Sequence, residues 1–176
     1  QILFTAGNTA ALDAAQAELS QQGVTILDYP SPDITHLLLP VPSLEADGSI
    51  KGGGILSHIL ARLPETVTVI GGNLTTPALS GYRTVDLLQD PFYLADNAAI
   101  TAECAIKILE QQFSADLKNK HILVIGWGRI GKCLCPMLSG KGAHVAASAR
   151  NTSDLAMIHA LGFESIHISD VSADTD

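Results

Sequence analysis

Charge is scarce in this sequence, and what there is has the wrong sign for some partners. Of its 176 residues 16% are charged, and the balance is −8. No basic stripe with interleaved aromatics occurs, which argues against nucleic acid as a partner. No uncharged apolar run is long enough to cross a bilayer, and no segment reads as a signal peptide. A membrane partner is therefore not expected, and a cytoplasmic setting is. There are three cysteines, Cys104, Cys133 and Cys135; an odd number without a secretory signal points to reduced thiols. Cys133 and Cys135 would face different sides of a helix, so they suit packing better than metal binding. The six histidines, His36, His58, His121, His144, His159 and His167, are scattered. No Ser-His-Asp, Cys-His or metal-spaced cluster appears, so no metal is expected. Gln1 stands where a native start would place Met, and the chain is expected to be a fragment or a processed form.

Apolar residues make up 47% of the sequence, enough for a substantial core in one large or two small domains. The most informative stretch is 121–150. The apolar run Ile122–Ile125 reads as a buried parallel strand. It leads into Gly126-Trp127-Gly128-Arg129-Ile130-Gly131, spaced G-x-G-x-x-G, and then into a helical pattern and a second strand, Ala143–Ala149. In a dinucleotide-binding turn the first glycine permits the tight turn, the second the approach of pyrophosphate, and the third close helix–strand packing. The amides at the helix start would hold the phosphate charge. An acidic side chain at the end of the second strand would hold a ribose 2′-hydroxyl; here that place is taken by Arg150, followed by Asn151, Thr152 and Ser153. A guanidinium takes a 2′-phosphate by charge-assisted hydrogen bonds, so NADP(H) is favoured over NAD(H). Ser153 is also read as the cap of a helix over 154–161. Phe163–Ile168 is a third strand, whereas a full domain of this type has about six.

Before residue 95 the pattern is strand and helix in alternation. Strands are expected at 1–5, 24–27, 34–39, 66–70 and 84–88. Helices are expected after a cap at Asn8-Thr9, ended by Gly23, and from Gly54 to Leu63, ended by Pro64. Short loops between such elements make a parallel sheet covered on both faces. The Leu37-Leu38-Leu39 run reads as buried on both faces. Ligands sit at the carboxyl ends of such strands, which here are Gly7-Asn8, Pro40–Ser43 and Gly72-Asn73. Ser43 and Asn73 are the candidate substrate contacts. Pro91 opens a short irregular or helical piece, and Thr101 is read as capping a helix with Ala102, Ala105, Ile106, Leu109 and Phe113 on its apolar face. Glu103 would lie in that helix's first turn.

The expected architecture is therefore α/β. Residues 1–95 form a flavodoxin-like parallel-sheet lobe that holds substrate. Residues 96–118 are a connecting helix and linker, and 119–176 the first half of a Rossmann dinucleotide-binding domain. Cofactor and substrate would meet in the cleft between the lobes.

Several motifs together suggest a family. They are Leu39-Pro-Val-Pro42, the block from Asp96-Asn97 to Thr101-Ala-Glu103, the turn Gly126–Gly131, Gly142-Ala-His-Val-Ala-Ala-Ser-Ala-Arg150, and Leu161-Gly-Phe163. With them the chain resembles the dipicolinate synthase A subunits, whose architecture is similar to that of D-2-hydroxyacid dehydrogenases. The resemblance implies a two-lobed NADP(H) oxidoreductase that works with a second, flavoprotein-like subunit. Its substrate would be a small cyclic dicarboxylate, dihydrodipicolinate, made into dipicolinate for the spore. It maps the helix-start Arg onto Arg129, the 2′-phosphate reader onto Arg150, and a Thr-x-Glu facing the cleft onto Thr101 and Glu103, the catalytic candidates. Ile100 and Cys104 depart from that pattern, which has Pro and Gly there. Two other readings stand beside it: a D-2-hydroxyacid dehydrogenase, and a nucleotide-binding partner subunit without chemistry. Self-association into a homo-oligomer is left open.

Overall fold

A computed structural model describes residues 1–112 and 116–171. The chain divides into two compact units, Gln1–Leu94 and a second from Ala95 onward. In the first, strands β1 (Ile2–Thr5), β2 (Thr25–Leu27), β3 (His36–Leu38), β4 (Thr68–Gly71) and β5 (Arg83–Asp86) form one sheet in the order β2-β1-β3-β4-β5. All pairings are parallel. This is the flavodoxin-like strand order. Helix α1 (Ala10–Gln21) follows β1; Thr9 caps it, its Oγ1 accepting from the Leu12 amide at 3.2 Å. The leucine run splits by the pleat: Leu37 and Leu39 are in the core and Leu38 is half-buried. Ile34, Leu37, Leu39, Ile50, Val67 and Val69 form the centre of that core. Each such side chain contributes about 1.5–3 kcal/mol by leaving water.

Two expectations in this unit are corrected. The helix expected from Gly54 is shorter, α2 (Leu56–Leu60), because Gly52, Gly53 and Gly54 all have positive φ and cannot belong to a right-handed helix. The strand expected at 84–88 ends at Asp86, whose side chain accepts from the Leu88 amide and turns the chain into a single 3₁₀ turn.

Helix α3 (Pro91–Gln112) corrects a third. It is one continuous helix of 22 residues, not a piece beginning at Thr101. Asp90 supplies the cap, its Oδ1 accepting from the Phe92 and Tyr93 amides at 2.8 and 3.3 Å, with Pro91 in the first turn. Phe113, expected on the apolar face of this helix, lies outside the described residues.

In the second unit β6 (His121–Ile125), α4 (Arg129–Gly140), β7 (His144–Ala149), α5 (Thr152–Ala160) and β8 (Glu164–His167) follow one another. The sheet order is β6-β7-β8, all parallel, which is one half of a doubly wound dinucleotide fold. Gly131, Leu134, Cys135 and Leu138 recur at helical spacing on α4; Gly131, Cys135 and Leu138 are buried. Burial pushes the Cys135 thiol up to about 11. Cys104 is exposed and Cys133 half-buried, and all three thiols are free. Pro136 lies within α4 at an exposed position. Among the described residues no helix is long and apolar enough to cross a membrane, and no group of three or more His, Cys, Asp or Glu side chains could hold a metal ion.

A buried hydroxyl locks the first unit's loops. Ser43 is fully buried; its Oγ donates to the Pro40 carbonyl at 2.8 Å and accepts from the Gly72 amide at 2.9 Å. Ser43→Ala would leave both backbone groups unpaired. It should lower unfolding free energy by about 1–3 kcal/mol, read from the urea midpoint at unchanged slope.

Candidate functional site

The glycine turn is built from backbone geometry. Strand β6 ends at Ile125, and Gly126 turns the chain at φ +109°, a conformation that L side chains rarely adopt. Its amide donates to the hydroxyl of Ser148, a fully buried residue of β7, at 3.2 Å. Gly128 is the extended N-terminal flanking residue of α4, and its carbonyl takes the first helical hydrogen bond, from Lys132 at 2.9 Å. A Cβ on Gly128 would meet nothing within 4 Å, so that side of the turn is open. A Cβ on Gly131 would fall 2.2 Å from the Gly126 carbonyl oxygen. Helix and strand therefore touch at a distance that only glycine permits.

The electrostatics of the turn are one-sided. Helix α4 has no acidic residue in its first turn, where Arg129 and Lys132 lie exposed. The helix dipole already makes that end positive, so the two cations destabilise it until an anion arrives. Neither has an ion-pair partner among the described residues. An open groove of about 790 Å³ runs beside the turn, lined by Ile122, Val124, Gly126, Gly128, Arg129, Ile130 and Leu134 among others. The residues thus fit a bound pyrophosphate: an open face, aligned amides and unneutralised positive charge.

Trp127 and Ile130 differ in kind from their neighbours. The Trp127 side chain is buried in the second unit's core, tilted against Phe163 with ring centroids 6.3 Å apart. Its indole Nε1 is buried without a hydrogen-bond partner. Trp127 therefore offers a ligand its backbone, while its ring props the turn from below. Ile130 is exposed beside the groove.

Arg150 stands exposed just past the end of β7. The cap of α5 is Asn151, not Ser153: Asn151 Oδ1 accepts from the Asp154 amide at 2.7 Å, and Nδ2 donates to Asp154 Oδ2 at 2.7 Å. Asn151 precedes the first helical residue and meets the amide three places on, so it wins the cap. That occupies its side chain and leaves Thr152 and Ser153, both exposed, in the first turn. His167, at the end of β8, places Nε2 3.0 Å from the Arg150 carbonyl oxygen. Neither Ser148 nor His167 stood out in the sequence. The signal for Ser148 was a lone hydroxyl in an alanine-rich strand; for His167 there was none before strand register was known.

The other candidates belong to other elements. Ser43 spends its hydroxyl inside the first unit and is no substrate contact. Asn73 has φ +57° and an exposed side chain, with its amide donating to Asp86 Oδ1 at 3.1 Å. Thr101 lies inside α3, and its hydroxyl donates to the Asn97 carbonyl at 2.7 Å, the usual back-bond of a mid-helix threonine. Glu103 is also mid-helix, so the dipole argument for it falls. It lines a shallow pocket with Lys107, Met137 and Lys141, at the carboxyl end of α4. Eight residues of helix, about 12 Å, separate Met137 from Arg129. Glu103 thus sits by the carboxyl end of α4 rather than at its glycine turn.

The two units thus carry a flavodoxin-like parallel sheet and half of a doubly wound dinucleotide-type sheet. Among solved structures the chain is similar to the A subunit of dipicolinate synthase from Bacillus halodurans, at 21% identity and TM-score 0.72, over 96% of this chain and 68% of that one. The corresponding protein from Bacillus subtilis matches at 19% identity and TM-score 0.66, over 96% and 67% of the two chains. A transhydrogenase from Sinorhizobium meliloti matches at 14% identity and TM-score 0.61, over 94% and 64%. At these identities the likeness is one of fold, and at that level it meets the resemblance carried by the motifs. No protein-family model and no curated protein matches the sequence.

The glycines divide into two kinds by what a methyl group would strike. Gly131→Ala should cost about 1–3 kcal/mol in urea unfolding, because the carbonyl in its way is backbone. Gly128→Ala should unfold at the wild-type midpoint yet bind dinucleotide more weakly, as read by nicotinamide fluorescence.

Proposed function

We propose that the protein is an NADP(H)-dependent oxidoreductase subunit of the dipicolinate synthase kind. In the cytoplasm of a spore-forming cell it would convert dihydrodipicolinate to dipicolinate, in partnership with a second, flavoprotein-like subunit. The observation that carries the reading is the strand–turn–helix at 121–140, with unneutralised cations at its open face and Arg150 at the end of the next strand. The amides after Gly126 and the start of α4 bind pyrophosphate. Arg129 and Lys132 add charge, and Arg150 with the Thr152 and Ser153 hydroxyls receives the 2′-phosphate. When bound, the nicotinamide supplies or accepts the hydride. The protein's own residues hold the dinucleotide in place and set which one it is. The similarity in fold to the dipicolinate synthases supports a small cyclic dicarboxylate as substrate, with Asn73 the remaining candidate contact.

Titration with NADPH and NADH, followed by nicotinamide fluorescence, tests the cofactor. NADPH should bind more tightly, and Arg150→Ala should weaken it about tenfold or more while leaving NADH nearly unchanged, as expected for loss of a charge-assisted hydrogen bond. Equal or tighter NADH binding in the wild type would refute the preference. Turnover of dihydrodipicolinate, with and without the partner subunit, tests the reaction. Turnover of 2-oxo acids instead would point to a D-2-hydroxyacid dehydrogenase, and no turnover with any substrate to a nucleotide-binding subunit without chemistry.

A further inference from the structure

His167 joins two elements that the sequence keeps 17 residues apart. It ends β8 directly beside Ala149 of β7, the residue before Arg150. Its ring reaches the Arg150 carbonyl oxygen through Nε2, at 3.0 Å. A carbonyl only accepts, so Nε2 must carry a proton. The other nitrogen, Nδ1, accepts from the Ser169 amide at 3.3 Å and lies 2.6 Å from the Ser169 hydroxyl. Nε2 is thus the donor toward β7, while Nδ1 faces the 168–170 turn. Ser169 Oγ is itself 3.0 Å from Asp170 Oδ1, so the turn at 168–170 steadies the ring from behind.

The effect of this bond falls on the Arg150–Asn151 peptide. In the β6-β7-β8 order, β8 lies on one side of β7 and the glycine turn of β6 on the other. A trans peptide points its carbonyl and its N–H in opposite directions. With the Arg150 carbonyl bonded to His167 of β8, the Asn151 amide points away from that bond. The same bond fixes the backbone from which Arg150 projects and from which α5 begins.

We infer that His167 is a positioning residue for cofactor choice: by pinning the Arg150 carbonyl it holds the 150–153 turn in the shape that receives a 2′-phosphate. The inference rests on the NADP(H) reading above and deepens it. A histidine that merely capped the 168–170 turn would need only Nδ1, whereas here the second nitrogen is committed to β7. Because His167 touches backbone and not ligand, its loss acts on discrimination between NADPH and NADH more than on dinucleotide binding as such.

The test measures NADPH and NADH dissociation constants for the wild type, His167→Ala and His167→Gln, by nicotinamide fluorescence at one salt concentration. His167→Ala should weaken NADPH about fivefold and NADH less than about twofold, the scale of one lost hydrogen bond. His167→Gln, which can still donate to the Arg150 carbonyl, should restore most of the NADPH affinity. An unchanged ratio of the two constants in His167→Ala, or equal losses for both nucleotides with no rescue by Gln, would overturn the inference. If His167→Ala does not fold, His167→Gln against His167→Met reads the same contrast, and equal ratios in those two overturn it. A wild type without NADPH preference is a separate outcome: it refutes the cofactor reading itself, and the inference with it.

Discussion

The second unit depends on one approach: the Gly131 Cα against the carbonyl of Gly126. A side chain at 131 would begin 2.2 Å from that oxygen, so the absence of a methyl group decides how near α4 comes to β6. That nearness sets the helix start just past the strand end, with its first amides at the open face. Ser148 holds the other side of the turn by taking the Gly126 amide, and Trp127 fills the core beneath it. The exposed charges of Arg129 and Lys132 are then carried on a frame that their own side chains do not shape. Backbone makes the site, and side chains give it a sign.

Much of this was legible in the sequence because it is local. The glycine spacing, the apolar strand before it and the helical periodicity after it all lie within twenty residues, and each follows from the conformational limits of its own segment. The alternation of strands and helices that predicts the parallel sheets is likewise local. What failed were choices between neighbours of similar chemistry. Thr101 and Asp90 can both cap a helix, and so can Ser153 and Asn151. In each pair the earlier residue won, because the segment between the two is itself good helix and nothing stops the helix from starting sooner. Moving the cap of α3 from Thr101 to Asp90 removed the reason for singling out Glu103.

Ser43 and His167 show a different limit. Each is decided by a partner distant in sequence, Gly72 for one and Arg150 for the other. A serine beside a Pro-Val-Pro loop reads as a ligand contact until strand register brings Gly72 against it. A lone histidine at the end of a third strand reads as a packed or surface residue until β8 pairs with β7. Single residues whose role is set by register cannot be assigned by composition or periodicity, since both patterns are blind to which strand lies alongside.

Cys133 and Cys135 sit two positions apart on α4, yet one is half-buried and the other enclosed. Cys135 is enclosed, and its thiol is held protonated far above neutrality. A protonated thiol is a poor nucleophile and a poor reductant. Peroxide and alkylating agents therefore find no reactive thiolate at the buried position of this helix. Of the three thiols the one most open to solvent is Cys104, on the exposed side of α3, whereas Cys135 lies on the buried face of α4.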